Sequence, residues 1–363
     1  MKIKKHSFVF IIVLCITAMA MAACGKKESL EADEVGLAAA ALVDDEDMPD
    51  MVVGVLLPAE EAQGGELAEM LFRDQLEAAG FTAMVQVADG AALQEQVDEM
   101  IQAGAEAIVV GAVEGEGVYE ALAEAQDAGV YVIGYDCIPM AEVDGVVRFG
   151  DAKIGEAQAR ALMDGLEAEK GGGPYHIELF GGDPADEDAE AFFRGAMTVL
   201  SPYMSSGIIV VGSGQTDFAQ CATAAWSSEN ATARMAALLL AFYADEPLHG
   251  ILCPDDGIAR AVVTAAEANG QATPVVSGFG AELESVAWVW SGRQYATAVK
   301  SADALVRKTV EILGSLRAGM GMPAPDVIGT NGICMYEFAP LVVTKDNARA
   351  AFANDPARMA LLQ

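Results

Sequence analysis

Val52-Val53-Gly54-Val55-Leu56-Leu57 is a short apolar run, rich in β-branched residues and with no polar position on either face. A strand of that kind belongs inside a parallel sheet covered on both sides. A helical pattern over residues 66–79 follows it and ends at Gly80, and Thr82–Val87 then reads as a second strand. Alternation of this type is the mark of βαβ units. It continues outward through a helix at 91–103, where Leu93, Val97, Met100 and Ile101 share one face, a strand at 107–110, a helix at 118–128 and a strand at 130–135. A short strand at 146–149 leads into a helix at 153–169, and Gly171-Gly172-Gly173-Pro174 forms a loop before a second alternating series. Its strands are 175–180, 208–211, 250–253, 275–277 and 296–299. Its helices include 230–244, where Met235, Leu238, Leu239 and Phe242 recur at helical spacing, and 301–318, with Leu305, Ile312, Leu313 and Leu316 turned inward. A last strand covers 341–343. The class is α/β, and two such series fit either two independent Rossmann-like domains or two lobes that exchange segments. In both arrangements ligands sit beyond the carboxyl ends of the strands, which points to the loops at 58–65, 111–117, 136–140, 181–187, 215–218, 254–257 and 278–282.

The amino-terminal end reads as an export signal. Lys2, Lys4 and Lys5 precede the apolar run 8–16, which is too short to span a bilayer as a mature helix. Met21-Ala22-Ala23-Cys24 follows and resembles the lipobox at which bacterial lipoproteins are cleaved and diacylated. Residues 1–23 are then the signal peptide and Cys24 the lipidated first residue, anchored outside the cytoplasm; the competing reading is an ordinary signal peptide cut after an Ala-x-Ala pattern. Residues 24–50 are acidic and Ala-rich, too poor in apolar surface to fold alone, and read as a tether. The chain carries 21 basic and 54 acidic residues for a net charge of −33. Such a balance makes nucleic acid and anionic lipid head groups poor partners.

Cys137, Cys221, Cys253 and Cys334 fall in no metal-like spacing and are read as free thiols, and the histidines His6, His176 and His249 are isolated in the sequence. No GxSxG elbow, P-loop, HExxH or Cys/His pair is present. Adjacent carboxylates such as Asp255 and Asp256 usually diverge, one capping the helix that follows. An enzymatic function is disfavoured, and no cofactor is implied.

Ile177-Glu178-Leu179-Phe180-Gly181, Gly195-Ala196-Met197, Gly214-Gln215-Thr216-Asp217-Phe218, Ala233-Arg234-Met235, Pro254-Asp255-Asp256-Gly257-Ile258-Ala259 and Val343-Thr344-Lys345-Asp346-Asn347 occur in order along the chain. In sequence and spacing they resemble the multiple-sugar-binding proteins of ABC transporters, relatives of the galactose/glucose-binding proteins. The resemblance implies a type I periplasmic binding protein: two Rossmann-like lobes with parallel sheets, joined by three crossings, with a pyranose held between them. The crossings are expected near Gly150, near 297–300 and near 326–332. The N-terminal lobe then takes 51–150 and 300–326, and the C-terminal lobe 151–299 and 327–363. The implied partner is an ABC permease, with a membrane sensor as the alternative reading and a scaffold that has lost its sugar site as a third.

Carried over by position, the resemblance implies ligand contacts at Asp136, Asp183, Glu187, Trp226, Asp255 and Lys300. Trp226 would stack on a sugar ring, and Asp136 would accept from hydroxyls. The departures are a first loop reading Pro58-Ala59-Glu60-Glu61-Ala62-Gln63-Gly64-Gly65, Cys137 where the family has Arg, Asp255 where it has Asn, and Gly278-Phe279-Gly280-Ala281 in place of Gly-Gln-Asp-Ala. Acidic loops without the family's arginines suit an amino sugar as well as a neutral sugar.

Overall fold

The computed structural model describes residues 50–58, 65–88, 92–112, 117–137, 142–329 and 332–363. The signal segment, Cys24 and the tether up to residue 49 lie outside the described residues, as does most of the first cleft loop. The strands are β1 (Val52–Leu57), β2 (Thr82–Val87), β3 (Ala105–Val110), β4 (Tyr131–Tyr135), β5 (Gly145–Phe149), β6 (Tyr175–Leu179), β7 (Ile209–Val211), β8 (Gly250–Leu252), β9 (Val275–Phe279), β10 (Ala296–Val299), β11 (Val327–Ile328), β12 (Cys334–Phe338) and β13 (Leu341–Thr344). The helices are α1 (Gly65–Ala78), α2 (Leu93–Gln102), α3 (Val118–Asp127), α4 (Asp151–Lys170), α5 (Glu187–Ser205), α6 (Phe218–Cys221), α7 (Ser228–Phe242), α8 (Asp256–Ala268), α9 (Leu283–Ser291), α10 (Ala302–Arg317), α11 (Ala348–Ala351) and α12 (Pro356–Met359).

They build two sheets. The first runs β2-β1-β3-β4-β5-β12-β11 and the second β7-β6-β8-β9-β10-β13. All pairings are parallel except β11 with β12 and β13 with β10. The strand order reverses at β1 in one sheet and at β6 in the other, and such switch points open a crevice at the carboxyl ends of the strands. The all-apolar run of β1 explains its place between β2 and β3, with five of its six residues buried. Helix α1 turns Ala68, Phe72 and Leu76 inward at i, i+4 and i+8, and α10 packs beside it through Leu305, Ile312 and Leu313. The opposite face of the first sheet is filled by Leu93, Val97 and Met100 of α2 and Ala121 and Leu122 of α3. In the second sheet, Met235, Leu238 and Leu239 of α7 meet Ile258, Val262 and Val263 of α8.

Helices α4 and α5 touch through their backbones. A Cβ on Gly155 would lie 1.9 Å from the Phe192 carbonyl oxygen, and one on Gly195 would lie 2.0 Å from that of Ala152. Only glycine permits so close an approach.

The chain passes between the lobes at Gly150, at Lys300 and at Ala339–Pro340. The third crossing differs from the expectation of residues 326–332, and residues 327–338 belong with the first sheet. The reason is β12. It pairs in parallel with β5 in the register Tyr336 to Val147 and Glu337 to Arg148, and buries Tyr336 to 1 % exposure. Its mixed residues, Cys334-Met335-Tyr336-Glu337-Phe338, hide a strand that only its neighbours reveal. His176 and His249, far apart in sequence, also meet: the His176 N–H donates to His249 Nδ1 at 2.9 Å. They stand at the amino ends of β6 and β8, away from the crevice.

Candidate functional site

Asp136 follows β4 in the left-handed region, with φ 56°, and its N–H donates to the Val147 carbonyl at 2.8 Å. Asp and Asn are the side chains best suited to such a position. Lys300, the residue after β10, reaches across so that its Nζ lies 3.3 Å from Asp136 Oδ1 and 6.0 Å from the centre of the Phe149 ring. Two of the expected site residues are thus in contact. Beside them the Cys137 thiol is pushed up to about 11, first by burial and then by Asp136, so it stays protonated. All four described cysteines are free.

On the second sheet, the loop after β6 and the turn before α7 are tied together. The Gly181 N–H donates to the Cys221 carbonyl at 2.8 Å and the Thr223 N–H to the Gly182 carbonyl at 2.9 Å. Trp226 closes a short 3₁₀ turn, Ala224–Trp226, and remains 38 % exposed rather than buried on a helix. Its ring lies on Gly182, since a Cβ there would fall 2.2–2.6 Å from three ring atoms. Asp183 accepts from the N–H groups of Ala185, at 2.7 Å, and of Ala225. Glu187 opens α5 and is exposed.

Asp255 caps α8, accepting from the Ile258 N–H at 2.6 Å. Burial pushes its carboxyl up to about 6, against the pull of that hydrogen bond, and Asp256 and Glu282 add to the rise. Asp256 points elsewhere, fully buried under Gly278, and accepts from Gln294 Nε2 at 2.9 Å, Thr297 Oγ1 at 2.9 Å and the Glu282 N–H at 2.9 Å. The adjacent pair therefore diverges as its spacing suggests, and cannot act as a paired acid and base. The first turns of α7 and α8 adjoin, for a Cβ on Gly257 would lie 3.7 Å from Ser228 Oγ. Trp226 and Asp255 thus stand on neighbouring corners of one rim.

A further cluster was not marked in the sequence. Arg148 on β5 pairs with Asp151 at the start of α4 and lies 3.7 Å from Glu337 on β12. Lys153 Nζ donates to the Glu337 carbonyl at 2.6 Å. The Gly150 N–H donates to the Phe338 carbonyl at 3.1 Å, so the first and third crossings are bound to each other. Burial pushes Asp151 up to about 6 against the pull of Arg148, and Asp188 adds to the rise. A lone arginine near the end of β5 was the one sequence signal; its partner became visible only with the register of β12.

The sequence pattern of the periplasmic binding protein domain matches residues 53–320. The chain is 35 % identical over 289 residues to the multiple sugar-binding periplasmic receptor ChvE of Rhizobium radiobacter, covering 75 % of this chain and 81 % of that one. Among solved structures, an ABC transporter solute binding protein from Clostridium phytofermentans with bound β-D-glucose superimposes with a TM-score of 0.61 at 29 % identity, covering 86 % of this chain and all of the other. A carbohydrate transporter solute binding protein from Chloroflexus aurantiacus in complex with D-glucose gives a TM-score of 0.59 at 28 % identity, over 85 % and 97 % of the two chains.

Proposed function

Because the chain belongs to the sugar-binding periplasmic binding proteins of the type I fold, we propose that it captures a sugar between its two lobes outside the cytoplasm and delivers it to an ABC permease. It is a binding receptor and not an enzyme. Cys24 carries a diacyl anchor in this reading, and residues 24–50 serve as the tether.

The observation that carries the proposal is the aromatic platform at the carboxyl end of β6. Trp226, laid on Gly182 and more than a third exposed, offers a flat apolar face. The C–H face of a pyranose stacks on such a surface, while the Asp136 carboxylate accepts from its hydroxyls and the Lys300 ammonium donates to its oxygens. Asp255 supplies a further carboxyl on the same rim as the tryptophan. Isothermal titration calorimetry with D-glucose tests this. Saturable binding that weakens on the order of tenfold in Trp226→Ala, the scale of one lost aromatic contact, is expected. Absence of binding to D-glucose and to a panel of hexoses and pentoses would overturn it.

The second reading, an amino sugar, is favoured by Asp255. That carboxyl stands half-buried with Asp256 and Glu282 as its charged neighbours, and a ligand ammonium would relieve the cost of ionising it. Titrating D-glucose against D-glucosamine at rising salt separates the two, since only charge-driven affinity falls with screening.

A further inference from the structure

We infer that Asp183 is a positioning residue that holds the Trp226 platform in place and acts on the ligand through it. The inference rests on the sugar-capture reading for its consequence, but the tether itself is a property of the ligand-free protein.

Trp226 sits on an unfavourable backbone. Ala225 has φ 56° and ψ 23°, and Trp226 has φ 52°, so two successive non-glycine residues occupy the left-handed region. Side chains other than glycine adopt this conformation at a cost, and such conformations persist only where the surroundings over-determine them. Three interactions shape the turn from within its own strand of chain: the Trp226 N–H donates to the Thr223 carbonyl at 3.1 Å, the Ser227 N–H to the Ala224 carbonyl at 3.2 Å, and Asn230 Nδ2 to the Ala224 carbonyl at 3.1 Å. Two more fasten it to the loop after β6. One is the backbone bond from Thr223 to Gly182, and the other is the Asp183 carboxylate.

Asp183 is built into both loops at once. Oδ1 accepts from the Ala185 N–H, which fixes the carboxylate on its own loop, and Oδ2 accepts from the Ala225 N–H across the gap. The second bond falls on the first of the two left-handed residues. A hydrogen bond from a backbone N–H to an ionised carboxylate is roughly twice as strong as one between neutral groups. Gly182, the preceding residue, lies under the tryptophan ring. One dipeptide therefore supplies both the floor on which the indole rests and the tether that keeps it there. Each Asp183 oxygen is engaged by a backbone donor, so the carboxylate is held in one orientation by the two loops that it joins.

The chain has three tryptophans, Trp226, Trp288 and Trp290, so protein labelled with 5-fluorotryptophan gives three ¹⁹F resonances and Trp226→Phe identifies the one of interest. In Asp183→Ala, without ligand, the Trp226 resonance should shift or broaden while those of Trp288 and Trp290 stay in place. D-glucose affinity should fall on the order of tenfold, the loss of one well-placed stacking contact. Adding Ala225→Gly removes the cost of the left-handed φ and should restore part of that affinity. An unchanged Trp226 resonance in ligand-free Asp183→Ala would overturn the inference, whether affinity falls, as for a direct contact, or is retained. Should Asp183→Ala disturb all three resonances through misfolding, Asp183→Asn, which keeps one accepting oxygen, carries the same test with a smaller displacement. If the unaltered protein binds no sugar, the capture reading fails by itself, and the ligand-free resonance still decides the tether.

Discussion

Lys300 Nζ stands 3.3 Å from Asp136 Oδ1, joining the second crossing between the lobes to the carboxyl end of β4. Both side chains are about one-third exposed, at 33 % and 36 %. Exposed pairs of this kind contribute about 0–1 kcal/mol to stability. Lys300→Met should therefore change the melting temperature little. In calorimetric titration the same variant should bind D-glucose on the order of tenfold more weakly, one lost charged hydrogen bond. A fall in stability without a fall in affinity would count against Lys300 as a contact.

The raised carboxyl of Asp255 sets a pH dependence whose sign can be worked out. Its value in the folded protein is about 6 against 3.8 ordinarily, so between these the native state binds more protons than the unfolded chain. Stability from this group is complete below about pH 4 and is lost as pH rises through 6. Asp151, also at about 6, works in the same direction. Asp255→Asn keeps an oxygen to cap α8 and removes the charge. It should melt a few degrees above the unaltered protein at pH 7, and the gain should vanish by about pH 4; a gain independent of pH would refute the assignment.

Glycines at helix positions differ in what surrounds them. Gly314 in α10 has open space around it, so Gly314→Ala should stabilise the protein by about 0.5–1 kcal/mol. Gly155→Ala would place its methyl 1.9 Å from the Phe192 carbonyl. Overpacking of that kind costs about 1–3 kcal/mol or more, outweighing the gain in helix propensity. Chemical denaturation should move the two midpoints in opposite directions.

Cys24→Ser tests the anchor. The unaltered chain should partition with membranes and show a diacylated Cys24 by mass spectrometry of the mature N-terminus. The variant should be released or retained uncleaved. A soluble, unlipidated mature species from the unaltered gene would sink the proposal.

Much of the fold was legible because its strands are apolar on both faces. β1, β3 and β9 stand out from their helices without any knowledge of partners. β12 did not, since Met335, Glu337 and Phe338 mix apolar and charged positions and the strand is only half-buried, at the sheet's margin. With it went the third crossing and the Arg148–Asp151–Glu337 cluster, which exists only because Glu337 is opposite Arg148 in register. At the site, the resemblance pointed to residues by position, and two of them, Asp136 and Lys300, meet in space. The engagement of both Asp183 oxygens by backbone donors could not be read from sequence, because it depends on a left-handed turn at Ala225 that no residue type there announces.

The late return of the chain to its first sheet has a consequence for how the protein acquires its structure. β12 completes a sheet begun at Val52, and β13 closes the edge of one begun at Tyr175. Neither sheet can be finished from a continuous stretch of polypeptide, so each must wait for a strand that lies far along the chain from its first. Pairings so distant along the chain form slowly. A nascent molecule therefore remains unfinished in both halves until residues 334–344 arrive, a delay that suits a polypeptide threaded across a membrane before it folds.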